Sequence, residues 1–147
     1  MKSFALCASV AISLFAVASP GQKPAPLPVP PPGIEFDSYY IVFLRRPAKP
    51  AQYDQARVEE IQKRHLAHLG DLYRSGKALS AGPFDEQDDE KMRGLVILPA
   101  SLGKDEVRRL ASEDPAVKAG RLEVEIVRWY LQKGTAVFPH PDTAMPK

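Results

Sequence analysis

The chain has 147 residues, with 20 lysines and arginines against 18 aspartates and glutamates, and a formal net charge of +2. This balance argues against a nucleic-acid-binding protein, in which basic side chains cluster on one surface. A single cysteine, Cys7, leaves no pair for a disulfide and no set of thiolates for a metal site.

The first eighteen residues are typical of a signal peptide. Lys2 is followed by an uncharged apolar run over residues 4–17, and residues 16–18 form an A-x-A cleavage site. Export to the periplasm or out of the cell is therefore predicted, with a mature chain that begins at Ser19 and carries a formal charge of +1 because Lys2 is lost. The run is short for a helix that spans a bilayer, so no membrane attachment is expected after cleavage. An uncleaved amino-terminal anchor is the alternative.

Proline then dominates the chain before the domain begins. Residues 19–32 contain seven prolines, a composition that favours polyproline II and cannot bury apolar surface. Residues 19–35 are predicted to be a disordered linker, with a spacer or a ligand for a proline-binding partner as the functional alternative. Residues 132–147 show no periodicity and are predicted to be a tail. One domain remains, over residues 36–131.

Within this domain, strands and helices are predicted to alternate in the order βαββαβ. The strands cover residues 38–44, 78–81, 94–98 and 122–129, and the helices cover residues 52–75 and 104–112, the first of which stops at Gly76. This order predicts an α+β fold, a ferredoxin-like sandwich with both helices on one face of an antiparallel sheet.

The strand compositions predict how the sheet is covered. Residues 39–44 and 95–98 are apolar on both faces, whereas residues 122–126 alternate between apolar and charged side chains. Helices can cover only one face of the two apolar strands, which should be the central ones. A second copy of the sheet is the expected cover for the other face, so a homodimer is predicted.

Three short motifs follow one another along the domain. They are H-L-x-x-L at residues 65–69, Gly82-Pro83 after the second strand, and D-P-x-x-x-x-G at residues 114–120. In this order they resemble the YCII-related (YciI-like) family. The resemblance implies a dimeric α+β barrel, and it implies that His65 and Asp114 are the active-site pair.

The residues themselves leave other interpretations of this pair open. His65 shares a helical stripe with Ile61 and Leu69, where a histidine is usually a core residue. Asp114 precedes Pro115, a combination that is typical of a helix N-cap. Together, however, a carboxylate and an imidazole form a competent acid/base unit, in which Asp114 fixes the ring tautomer and His65 takes a proton.

The sequence thus supports two functional hypotheses. The first is a small-molecule enzyme that transfers a proton without a cofactor, in an isomerase or a lyase/dehalogenase-like step on a small cyclic or aromatic metabolite, as the resemblance implies. The second is an exported dimeric module that binds a small molecule without converting it. In both, Gly82 and Pro83 form a tight turn that lines the pocket, and Arg45 or Arg46, with Arg46 the chosen candidate, binds a carboxylate at the mouth.

A metal site has less support in the sequence. His65, His68 and Asp71 are spaced three residues apart, so they can lie on one side of a helix. A metal needs three or four converging ligands, and the sequence offers no further pair of histidines or cysteines to complete such a set. No metal and no cofactor are therefore predicted.

Overall fold

The computed structural model describes residues 32–139, which contain four strands, three α-helices and one short 3-10 helix, Ala100–Leu102. The strands are β1 (Phe36–Arg45), β2 (Ser80–Pro83), β3 (Met92–Pro99) and β4 (Glu123–Gln132), and the helices are α1 (Gln55–Arg74), α2 (Lys104–Ser112) and α3 (Pro115–Lys118). The predicted signal peptide, nearly all of the proline-rich linker and the end of the tail lie outside the described residues.

The four strands form one antiparallel sheet in the order β2-β3-β1-β4. Strands β1 and β3 are therefore central, and β2 and β4 are the edges. This is the ferredoxin-like α+β arrangement predicted from the element order, and the two strands that are apolar on both faces occupy its centre. In the described residues no helix is long and apolar enough to cross a membrane.

Helix α1 begins and ends where its sequence provides caps. The Asp54 side chain accepts a hydrogen bond from the Arg57 backbone N–H at 2.8 Å, which satisfies one of the free donors of the first turn. At the other end Gly76 has a φ of 69°, a left-handed conformation that favours glycine. The predicted apolar stripe is confirmed, because Ile61, His65 and Leu72 are the buried residues of the helix.

The core lies between the sheet and the helices. From Tyr40 to Leu44 every second residue of β1 is buried, and the buried residues of β3 lie opposite them in register. Apolar residues from α1 and α2 pack on this face. The buried cluster consists of Tyr40, Val42, Leu44, Leu72, Ala78, Val96, Leu98, Val107 and Leu110.

The opposite face of the sheet, here called the outer face, is also apolar. Ile41 of β1 lies opposite Ile97 of β3 and Val127 of β4, and paired residues of antiparallel strands point to the same face. Tyr39, one step along this face, packs against Trp129 with ring centroids 6.1 Å apart. Val127, at the edge of this face, remains 39% exposed.

The predicted turn at Gly82-Pro83 is wrong. Both residues belong to β2, where they pair with Leu95 and Gly94 of β3, and Gly82 has no positive φ. Pro83 fits because β2 is an edge strand that ends there. The glycine that the geometry requires is Gly94, where a Cβ atom would lie 2.4 Å from the Gly82 carbonyl oxygen.

Candidate active site

His65 and Asp114 meet in the interior of the domain. His65 lies in the middle of α1, and Asp114 immediately precedes α3, which packs against α1. The Nδ1 atom of the ring is 2.6 Å from Oδ2 of the carboxylate. Both residues are buried, His65 with 7% and Asp114 with 2% of its surface exposed. The pair is thus shielded from water on most sides, which strengthens the hydrogen bond between them.

Asp114 is a helix cap as well as the partner of the ring. Its Oδ1 accepts a hydrogen bond from the Ala116 backbone N–H at 2.7 Å, and Pro115 occupies the first helical position. The two interpretations of Asp114 from the sequence are therefore compatible. The cap fixes the carboxylate while its second oxygen orients the ring.

This arrangement defines the tautomer of His65. An ionised carboxylate can only accept, so Nδ1 carries the proton that it donates to Asp114. The other ring nitrogen, Nε2, makes no hydrogen bond to any residue in the range 32–139. No fully buried polar side-chain atom in that range lacks a partner, and the His65 ring is among the residues that line a cleft, so Nε2 is the ring nitrogen left for a ligand there. In the neutral ring Nε2 is a proton acceptor.

The cleft beside His65 has a volume of about 1200 Å³ and runs between α1 and the β2 side of the sheet. Its walls are largely apolar and include Leu44, Ile61, Leu69 and Leu79. Gly82 and Pro83 also line it, through the strand described above and not through a turn. A cleft of this size and character accommodates a small organic molecule next to Nε2.

The structure distinguishes Arg45 from Arg46, the two candidates for a carboxylate-binding residue at the mouth of the pocket. Arg45 is held outside the cleft by Asp89, at 2.9 Å, and by Glu125, at 3.7 Å. Arg46 lines the cleft. Three further arginines line it, namely Arg74 at the end of α1, Arg93 in β3 and Arg121 before β4. The sequence did not single them out, because none belongs to a motif and they are far apart along the chain.

His68 does not join His65. Its Nε2 lies 3.2 Å from the Leu110 carbonyl oxygen, to which it donates, so this ring packs against α2. Within the part of the chain that the structure describes, no three His, Cys, Asp or Glu side chains are grouped as metal ligands would be.

Comparison with known proteins places the domain in a family. The family model of the YCII-related domain matches residues 40–130. Among solved structures, the chain is similar to 5-chloro-2-hydroxyhydroquinone dehydrochlorinase from Burkholderia phenoliruptrix, solved in complex with 2,5-dihydroxybenzoquinone. The two sequences are 27% identical over 62% of this chain and 92% of that one, with a TM-score of 0.44. No curated protein sequence matches the chain.

Proposed function

We propose that this chain, which belongs to the YCII-related family, is an enzyme that transfers a proton on a small organic molecule, with His65 as the general base and Asp114 as the residue that orients it. The supporting observation is the 2.6 Å hydrogen bond between the two side chains at the wall of a cleft. A histidine placed only for packing would need neither a buried carboxylate nor access to that cleft.

The chemistry follows from the tautomer. Nε2 faces the cleft without a proton and takes one from a carbon or a hydroxyl group of the substrate. The imidazolium that forms is stabilised by the Asp114 carboxylate, which the Ala116 N–H prevents from turning away. If the proton returns to a different atom, the substrate is isomerised. If the electron pair of the broken C–H bond forms a double bond and a leaving group departs with the electron pair of its own bond to carbon, the step is an elimination. Neither outcome needs a cofactor.

Assays of the purified protein on small lactones and chlorinated hydroxyaromatics test this proposal. His65→Asn should lower kcat by roughly 10²-fold or more, the usual contribution of a positioned general base. His68→Gln is the matched control, because its ring binds the Leu110 carbonyl and should leave turnover nearly unchanged. Wild-type turnover by His65→Asn would refute the role of the ring. Binding without any turnover by the wild type would support the alternative, a binding module.

The proposed enzyme is a homodimer built sheet on sheet. Support comes from the outer face, where Ile41, Ile97 and Val127 form an apolar row across three strands. The other face is covered by Leu72 of α1 and by Val107 and Leu110 of α2, and α3 packs against α1. Apolar patches of this kind on soluble proteins usually mark an interface, and a second copy of the same face offers a matching surface.

A further inference from the structure

We propose that the cleft selects small organic anions, with Arg46, Arg93 and Arg121 as an oxyanion-binding group opposite the general base. This inference rests on the proposed function and names its substrate class. The ligand would be a molecule with an apolar body and one carboxylate or acidic hydroxyl group. Its anionic end would face the arginines, and its proton-donating atom would face Nε2 of His65.

The fold places the three arginines at one end of the sheet. Arg45, the last residue of β1, is paired with Met92 at the start of β3 and with Glu123 at the start of β4. Arg46 follows it directly, Arg93 is the second residue of β3, and Arg121 lies two positions before the first residue of β4. Three arginines that are distant in sequence thus lie at the same end of the sheet, here called the rim, and all three line the cleft.

Arg121 is tied to the same turn as the acid/base pair. Its backbone N–H donates to the Ala116 carbonyl oxygen at 2.9 Å, while the Ala116 N–H is the group that holds Asp114. The rim is fixed on the other side as well, where the Arg46 N–H donates to the Lys91 carbonyl oxygen at 2.7 Å. The backbone that supports the arginines is therefore held in place relative to the ring.

The charged side chains that line the cleft are arginines, so the charge there is positive. Among residues 32–139, the titratable groups that line it are His65, Tyr73 and arginines, with no aspartate or glutamate. Arg74 is neutralised by Asp71 at 2.6 Å. Arg46, Arg93 and Arg121 form no ion pair with any residue of the described range. Asp114 is buried, does not line the cleft, and directs its two oxygens to the ring and to the cap, so it forms no ion pair with these arginines.

An anionic substrate suits the proposed chemistry. Removal of a proton by His65 builds negative charge on the substrate, and cations beside that charge stabilise the transition state. Guanidinium groups bind carboxylates and similar oxyanions through paired hydrogen bonds. The apolar wall formed by Leu44, Leu69 and Leu79 would hold the body of the ligand and lower the local dielectric constant.

Calorimetric titration of the full chain with two matched pairs of probes tests the inference. Benzoate is compared with neutral benzamide of the same shape, and the 4-nitrophenolate anion with 4-nitroanisole. Each anion should bind at least about tenfold more tightly than its neutral partner if a charged hydrogen bond is gained. Tighter binding of benzoate than of the nitrophenolate would identify a carboxylate ligand. Tighter binding of the nitrophenolate would identify a ligand with an acidic hydroxyl group.

Variants then test the arginines themselves. Arg93→Gln and Arg121→Gln should each weaken binding of the preferred anion by about tenfold and leave its neutral partner unchanged. Arg108→Gln, an exposed residue of α2 outside the cleft, removes the same charge and should leave both unchanged. Equal binding of anion and neutral probe, no binding of either anion, or equal losses in Arg108→Gln would overturn the inference.

The same titrations in His65→Asn separate this inference from the proposed function. Anion binding depends on the arginines and should persist there, whereas turnover should not. Arginine-dependent binding together with undiminished turnover by His65→Asn would refute only the base. Loss of turnover in His65→Asn together with charge-independent binding would refute only the anion site.

Discussion

Oδ2 of Asp114 lies 2.6 Å from Nδ1 of His65, although the two residues are 49 positions apart in the sequence. The contact connects the middle of α1 to the start of α3, a helix of four residues that is too short to be stable alone. One carboxylate thus fixes the short helix and the tautomer of the ring. Stability and the proposed catalysis therefore depend on the same side chain.

Replacement of Asp114 should cost more stability than loss of an ordinary helix cap. Asp114→Ala removes the cap of α3 and also leaves the buried ring without its acceptor, for a total of about 2–4 kcal/mol in the free energy of unfolding. Asp54→Ala removes only the cap of α1 and should cost about 1 kcal/mol. Urea denaturation of both variants measures the difference. Equal losses would mean that the bond to His65 contributes nothing to stability.

The two glycines of the β2–β3 pair should respond differently to alanine. At Gly94 a Cβ atom would lie 2.4 Å from the Gly82 carbonyl oxygen, so Gly94→Ala must move one strand and should cost about 1–3 kcal/mol. At Gly82 the same atom meets nothing within 4 Å, and Gly82→Ala should change stability by less than about 1 kcal/mol. Thermal denaturation of the two variants measures the difference. A larger loss of stability in Gly82→Ala than in Gly94→Ala would contradict the strand geometry.

One exposed ion pair predicts a pH effect at the ends of β1 and β4. The Lys133 ammonium group lies 2.6 Å from Oε2 of Glu35, and its hydrogen bond and charge lower the pKa of that carboxyl group below its usual value. In turn, the carboxylate raises the pKa of Lys133. Because the pKa of Glu35 is lower in the folded chain, the stabilisation exists above the unfolded pKa and is lost as the pH falls through the folded value.

Titration of Glu35 by NMR in Lys133→Gln tests this pair. The pKa of Glu35 should rise toward its usual value when the ammonium group is removed. Lys63→Gln removes the same charge from α1 and should leave the pKa of Glu35 unchanged. An unchanged pKa in Lys133→Gln would show that the ion pair does not form in solution, where exposed pairs are often weak.

Much of the fold could be predicted because its elements have strong local signals. The continuous apolar strands β1 and β3, the stripe of α1 and the stop at Gly76 are each encoded within a few residues of sequence. Helix α2 was predicted with its observed bounds. The central position of β1 and β3 could be predicted from their composition, because strands that are apolar on both faces belong in the centre of a sheet.

The features that were predicted wrongly, or not at all, depend on contacts between segments that are distant in the sequence. Gly82-Pro83 has the composition of a turn, and only the pairing with β3 shows that it is the end of an edge strand. The choice of Arg46 over Arg45 depends on Asp89 and Glu125, which come from other elements. Arg93 and Arg121 reach the cleft only through the register of the sheet. Information of this kind is tertiary and is absent from any single segment.

Export is predicted from residues 1–18 alone, which lie outside the described part of the chain. The protein recovered from the periplasm or medium should begin at Ser19, because small residues stand at positions 16 and 18. Ala18→Arg should block cleavage and leave a longer product, whereas Ala25→Arg, beyond the site, should not. Amino-terminal sequencing and intact mass decide the point. Wild-type protein that is found in the cytoplasm with Met1 still present would contradict export.

The outer face of the sheet predicts the oligomeric state. Val127 lies on an edge strand, 39% exposed and opposite Ile41, so Val127→Arg should place a charge in a sheet-on-sheet interface without disturbing the core of the subunit. Light scattering should then give about twice the monomer mass for the wild type and the monomer mass for the variant. Leu66→Arg is the matched control, since Leu66 is 58% exposed on α1, away from the outer face, and should remain dimeric. A wild-type protein that is monomeric and well folded at micromolar concentration would refute the interface, because the row of Ile41, Ile97 and Val127 would then be stable in water.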